Sequence, residues 1–181
     1  MDNFAYSIIA AVSKNGGIGY KGDLPWRLKK EMAYFNRITT QVNRENTQNA
    51  VIMGRNTWQS IPDKYRPLKG RINVVISKTL NSVPEGILLY PKLTEALKDL
   101  YSNDCVEKCW IIGGTGLYNE AINDKNCKYL YITKINQEFV CDTFFPDFDP
   151  NNFEEIFEPY IPKDIQEENG IQYEFKVFKR L

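Results

Sequence analysis

Asn49-Ala50-Val51-Ile52-Met53-Gly54-Arg55-Asn56-Thr57 passes from a short apolar, β-branched run straight into a glycine, a cation and a hydroxyl at a helix start. This is the form of a strand buried on both faces that hands over to a helix. Residues 4–12, 72–76 and 110–112 repeat it, each a short apolar run that ends near Gly or Ser. Helical patterns lie between them at 26–38, 56–60, 94–101 and 116–122. Alternating strand and helix predicts an α/β fold with a largely parallel sheet. Toward the end of the chain, 128–135 and 172–179 read as two longer strands with no helix between them. Tyr173, Phe175 and Val177 alternate there with Glu174 and Lys176, the pattern of an antiparallel strand with one wetter face. The expectation is a single domain over 1–181, a central mixed, mostly parallel sheet with an antiparallel C-terminal strand, flanked by about four helices.

Composition narrows the function classes. A chain of 181 residues, 43% hydrophobic and 25% charged, is an ordinary globular domain able to fold without disulfides or metals. Lys plus Arg equals Asp plus Glu at 23 each, so no global field draws it to nucleic acid or an anionic membrane. Cys105, Cys109, Cys127 and Cys141 show no C-x-x-C pairing and there is no histidine, so a zinc site is not expected. The same lack of histidine removes the usual general base and the Ser-His and Cys-His nucleophiles. Catalysis then falls to carboxylates, hydroxyls, water or a cofactor. Asp2 stands where a signal peptide needs positive charge, and no apolar stretch approaches the ~20 residues of a membrane span, so the expected location is the cytoplasm.

Gly17, Gly19 and Gly22 spell G-x-G-x-x-G after a strand, the dinucleotide fingerprint on paper. The context fails, because Pro25 comes where the fingerprint needs an unbroken helix and no acidic strand end lies at the right distance. A mobile glycine loop over a site is the better reading.

The strongest single residue is Glu31. At about 100° per residue, Leu28, Met32, Phe35 and Ile38 form one apolar arc, with Lys29, Lys30, Ala33, Asn36 and Arg37 opposite. Glu31 falls inside the apolar arc. A shielded carboxylate costs several kcal/mol unless it is protonated or meets a partner. Three outcomes are open to it: a permanent internal Arg or Lys as partner, a helix rotated enough for it to reach water, or a ligand that presents two adjacent N–H donors and so fixes a flat heterocycle. Met32 and Phe35 are then placed to pack on that ring.

The residue types just beyond each strand point to a dinucleotide. Gly54-Arg55-Asn56-Thr57, Ser77-Lys78 and Gly113-Gly114-Thr115-Gly116 supply bare backbone, hydroxyls and cations at strand ends, suited to a pyrophosphate at a helix start. Arg55 and Lys78 favour NADPH over NADH, since an extra ribose phosphate asks for Arg or Lys.

Four long motifs resemble the dihydrofolate reductase family: residues 11–26, 51–62, 66–71 and 110–118, in order, with Asp142-Thr143-Phe144-Phe145-Pro146 beyond them. The resemblance implies a dihydrofolate reductase-like fold and NADPH-dependent reduction of 7,8-dihydrofolate to 5,6,7,8-tetrahydrofolate. Glu31 matches the acid that binds pterin N3 and the 2-amino group, a Glu as in animal and fungal members. Trp26 and Thr133 would hold water beside it and complete the catalytic set. Ile9, Phe35, Ile61 and Ile112 would enclose the rings, and Ala10 and Ala11 would meet ring edges through their backbone. Met32, Ser60 and Leu68 join the substrate set, and Arg71 would bind the α-carboxylate of the glutamate tail. Tyr118 would lie near the nicotinamide.

For the cofactor the resemblance implies Ala11, Gly54, Arg55, Asn56, Thr57, Ser77, Lys78, Gly113, Gly114, Thr115, Gly116 and Leu117. Ile18, Gly19, Gly22, Asp23 and Leu24 belong to a lid over the nicotinamide, spanning 15–26. Cis peptides are implied at Arg66-Pro67 and Gly113-Gly114. The chain departs from animal members in carrying Asn56 after Arg55 and Met32 where a phenylalanine is frequent. A monomer acting on small molecules and bound by antifolates is the expected state. The rivals are a reductase of a ribosylated pyrimidine in riboflavin synthesis, a silent folate-binding homologue, and the reductase part of a longer fused enzyme.

Overall fold

The computed structural model describes residues 4–181, so Asp2 and the leader argument built on it lie outside the described residues. The strands are β1 (Tyr6–Val12), β2 (Gly17–Gly19), β3 (Gln48–Gly54), β4 (Ile72–Ile76), β5 (Leu88–Tyr90), β6 (Val106–Gly113), β7 (Cys127–Ile135), β8 (Thr143–Phe144), β9 (Phe153–Ile156), β10 (Gln166–Glu168) and β11 (Ile171–Arg180). The helices are α1 (Lys29–Thr40), α2 (Arg55–Ser60), α3 (Leu93–Tyr101) and α4 (Thr115–Ile122).

One sheet runs in the order β10-β11-β7-β1-β6-β3-β4-β5, with β9 also paired to β11. Pairs from β7 through β1, β6, β3 and β4 to β5 are parallel, and β11 is antiparallel to β7, β9 and β10. The mixed, mostly parallel sheet expected from the sequence is the one observed. β6 returns between β1 and β3, so the chain leaves β1 in both directions and the carboxyl ends on either side of it open a crevice suited to a ligand.

Alternation along the strands divides the core into two layers. Ile8, Ile52, Val74 and Ile111 face α3 and α4, packing with Leu97, Leu100 and Ile122. Ile9, Val51, Met53, Val75 and Trp110 face α1 and α2, packing with Tyr34, Ile38 and Trp58. Val51, Ile52, Met53, Val74, Val75 and Ile111 are wholly buried, which is why their stretches read as continuous apolar runs.

Two details of α1 differ from the expectation. The helix starts at Lys29 rather than Trp26, because Leu28 is extended at φ −126°, ψ 95°. Trp26 and Leu28 are buried from the preceding loop, and that mimicked another turn of helix. The buried face is Glu31, Tyr34, Ile38 and Thr39, whereas Met32 is 43% exposed. Tyr34 takes the inward position assigned to Met32, because the sheet meets α1 on that side, through Phe175 stacked on Tyr34 at 3.9 Å.

The G-x-G-x-x-G segment opens no helix. Gly17 and Gly19 form β2, paired antiparallel to β8, and Gly22 lies in a turn closed by Tyr20 and Asp23. Both implied cis peptides, Arg66-Pro67 and Gly113-Gly114, are present. All four cysteines are free.

Candidate active site

Glu31 projects from the first turn of α1 into the layer under β7. It is 7% exposed and accepts one hydrogen bond, from the Thr133 hydroxyl at 3.0 Å to Oε1. No Lys or Arg among the described residues forms an ion pair with it. Burial pushes its carboxyl up from 4.5 to about 7, and the Thr133 hydroxyl pulls only partly the other way. Of the three outcomes left open by the sequence, the internal cation and the water-exposed acid are not the ones found. Thr133, which sits in β7 beside Ala11 of β1, reaches the acid directly. The Trp26 indole N–H is buried with no protein partner.

Several residues of the expected substrate and cofactor sets pack in the core layer that α1 covers. Ala11, Leu24, Phe35, Ile61, Leu68 and Ile112 are half-buried and pack on the cluster that contains Ile9 and Trp26. Ala10, by contrast, turns its side chain to the α3–α4 layer and leaves only its backbone for this side. Leu68 is pinned at both backbone groups by Asn73, whose Oδ1 accepts from Leu68 N at 2.8 Å and whose Nδ2 donates to its carbonyl at 2.9 Å. Ser60 is exposed, and its hydroxyl donates to the Thr57 carbonyl of its own helix at 2.7 Å. Met32 stays on the open rim.

Arg71 donates to Thr39 Oγ1 at 3.0 Å, Asn36 Oδ1 at 3.3 Å and the Lys69 carbonyl at 3.0 Å. It meets no carboxylate among the described residues, and burial lowers its pKa from the ordinary value. A half-buried guanidinium oriented by neutral oxygens keeps its charge for an incoming anion. Thr39 and Asn36 were missed in the sequence, because nothing local marks a hydroxyl and an amide as supports for a residue more than thirty positions away.

A second group of residues lies at the carboxyl ends of β3, β4 and β6. Arg55 donates to Thr79 Oγ1 at 2.8 Å, and Ser77 Oγ accepts from Thr79 N and Leu80 N. Thr79, not anticipated, thus ties Arg55 to the Ser77-Lys78 turn; Lys78 and Asn56 are exposed beside it. At α4 the N-cap Gly114 offers no side-chain bond, and the Thr115 hydroxyl is buried without a partner. Nothing lies within 4 Å of where a Gly116 Cβ would be. An orphaned hydroxyl at the bare N-terminus of a helix, with Arg55 one strand away and Lys78 two, fits the phosphates of a dinucleotide. The Tyr118 hydroxyl donates to the Ile9 carbonyl at 2.8 Å, which leaves it only an acceptor toward a ligand.

The segment expected to form a lid is fastened to the strand and loop around Asp142. Asp142 N donates to Gly19 O, Phe145 N to Gly16 O, and Lys21 N to the Asp142 carboxylate at 2.9 Å. Ile18 packs on the core layer of α4, and Leu24 on the layer that contains Trp26, so the segment bridges the two layers. The Asp23–Arg27 ion pair is exposed and worth little. Gly17 has no room for a side chain: an added Cβ would sit 2.1 Å from Cys141 Sγ and 2.5 Å from its Cβ. Gly17→Ala is expected to cost about 1–3 kcal/mol by thermal unfolding and to slow turnover, and Cys141→Gly in the same chain should restore both.

A family model described as dihydrofolate reductase matches residues 5–180 of the chain. The chain is 46% identical over 185 residues to the dihydrofolate reductase of Heliothis virescens, covering 100% of both, and 47% identical to those of Drosophila melanogaster, covering 97% of both, and Sus scrofa, covering 95% of this chain and 96% of the relative. The solved structure of Schistosoma mansoni dihydrofolate reductase superposes with a TM-score of 0.88 at 39% identity, covering 99% of this chain and 100% of that one.

Proposed function

We infer the activity from one premise: the chain belongs to the dihydrofolate reductase family. It is an enzyme that reduces 7,8-dihydrofolate to 5,6,7,8-tetrahydrofolate, in support of one-carbon metabolism and nucleotide synthesis. A reductase of a ribosylated pyrimidine is not favoured, since family match and relatives run the length of the chain under one name.

The reading rests on the Glu31 carboxyl, out of water with a single hydroxyl for company. Ionised, it offers two oxygens to the N3 and 2-amino N–H groups of a pterin. Held at that edge, its negative charge favours a positive charge at N5, so that a water proton is accepted there. Ile9, Phe35, Ile61 and Ile112 supply the apolar walls that exclude bulk water from the ring, and Arg71 takes the α-carboxylate of the tail. NADPH bound along Arg55, Ser77, Lys78 and the start of α4 would supply the hydride for pterin C6. Thr133 orients the acid through its hydrogen bond, and the buried Trp26 N–H would hold a water beside it. The same reading makes the protein a cytoplasmic monomer, bound by antifolates that reproduce the pterin edge.

Loss of reduced-nicotinamide absorbance, dependent on added dihydrofolate, tests the activity; a purified chain that leaves NADPH unoxidised under those conditions refutes it. The cofactor assignment has its own test. Replacing both Arg55 and Lys78 by Gln should raise the KM for NADPH by roughly 10–100-fold while leaving that for NADH within about threefold, because only the former carries the extra phosphate. Equal loss with both cofactors would remove these two cations from phosphate recognition.

A further inference from the structure

α1 begins without a cap of its own. Leu28 at the N-cap has no side-chain oxygen to offer, so the first N–H groups of the helix need partners from elsewhere. They find them 139 and 138 residues away: Lys29 N donates to Glu168 Oε2 at 2.5 Å and Lys30 N to Glu168 Oε1 at 2.9 Å. These two backbone bonds are also the main reason the Glu168 carboxyl is held below its usual range. The next residue completes the clamp, since Asn169 Nδ2 donates to the Arg27 carbonyl at 3.2 Å, just ahead of the helix.

The turn that carries both residues is rigid for a local reason. Asn169 and Gly170 adopt φ +54° and +75°, and Glu168 pairs with Ile171, which makes a two-residue Asn-Gly hairpin between β10 and β11. β11 then touches the surroundings of Glu31 twice more. Phe175 stacks on Tyr34, one turn along α1 from Glu31, and pairs in register with Thr133, whose hydroxyl is bonded to the acid. One hairpin therefore holds the start of the helix, its inner face and the strand opposite.

We propose that Glu168 and Asn169 are positioning residues for folate reduction: the turn they build fixes the first turn of α1 and thereby aims the Glu31 carboxyl. The proposal rests on Glu31 as the pterin-binding acid. Without the clamp the first turn frays, Glu31 reaches water, and the edge that should meet the pterin loses its direction.

Two readouts separate aiming from mere support. The first is the titration of the Glu31 carboxyl in the ligand-free protein, taken as the infrared difference between each variant and the same variant carrying Glu31→Gln. Burial, partly offset by the Thr133 hydroxyl, raises this group to about 7, so a frayed turn must let it fall back toward 4.5. The titratable groups that sense Glu31 are Tyr34, Tyr118 and Tyr173, all phenols raised by burial and neutral in this window. The second readout is the split between KM and kcat for dihydrofolate. Glu168→Ala and Asn169→Gly, the latter keeping the turn and deleting the amide, should each lower the Glu31 midpoint and raise KM roughly three- to tenfold. Glu168→Gln retains one acceptor and should fall between, and Glu167→Ala on the same strand should match wild type in both. If Glu168→Ala does not fold, Asn169→Gly and Glu168→Gln carry the test. A lowered melting temperature with unchanged midpoint and KM would overturn the proposal. A wild-type chain without dihydrofolate-dependent oxidation would sink the functional reading instead, and the infrared titration would still decide whether the turn aims the acid.

Discussion

Glu31→Gln should fold and lose turnover by about 10²- to 10⁴-fold, the range removed with a group that acts on a proton in the transition state. Gln keeps the size of the side chain and can still accept from Thr133, so the pocket keeps its shape. What disappears is the negative charge that pairs with the pterin edge and favours protonation at N5. Steady-state rates with dihydrofolate check this, and wild-type turnover in the variant would assign the work to another group.

The same substitution should change stability in a pH-dependent manner. Glu31 has a folded pKa of about 7 against 4.5 for the free group. Between those values the folded chain holds a proton that the unfolded chain releases, so wild-type stability falls as pH rises through that window. The full penalty above the window is roughly 3 kcal/mol, at 1.36 kcal/mol per pKa unit. Gln carries no such penalty; its extra buried N–H adds a cost that does not vary with pH. Denaturant unfolding of the ligand-free proteins should therefore show the variant gaining on wild type from about pH 4 to pH 8. A constant difference would mean that Glu31 is already hydrated in the folded state.

The second large effect is expected at Gly113. It ends β6 at φ +122°, where a side chain is strained, and its Cβ would lie 3.3 Å from both the Cε2 and the hydroxyl of Tyr118 and 3.4 Å from Thr57 Oγ1. Tyr118 cannot withdraw freely, being buried with its hydroxyl on the Ile9 carbonyl. Gly113→Ala should cost about 2–4 kcal/mol, strain and overpacking together. Activity should fall by about 10²-fold, because the displaced atoms border both the pterin wall at Ile9 and the bare start of α4. Tyr118→Phe, which removes only the hydrogen bond, should cost about 1 kcal/mol. Equal losses in the two variants would show that Gly113 has more room than its neighbours imply.

Legibility of the fold in the sequence tracks burial. Residues 72–76 and the core of β3 were bounded well because Val51, Ile52, Met53, Val74 and Val75 are fully buried, and full burial leaves a continuous apolar signature. β2, β5, β8, β9 and β10 were missed. They are two to four residues long, too short for an alternation to read. The start of α1 was misplaced because its cap comes from Glu168, a partner that no local window contains. Glu31 stood out because a charge on an apolar face demands an explanation; Thr39, Asn73 and Thr79 did not, because polar residues near turns are ordinary. Met32 was placed inward by period alone, which cannot tell which side of an apolar arc the sheet will meet.

The account depends on where the two oxygens of Glu31 go when substrate is present. A crystal structure with folate and NADPH bound is the direct measurement. Both oxygens should lie about 2.7–3.2 Å from pterin N3 and the 2-amino nitrogen, with Thr133 still donating to Oε1. A pterin seated elsewhere, with Glu31 turned to solvent or to a lysine or arginine, would contradict it.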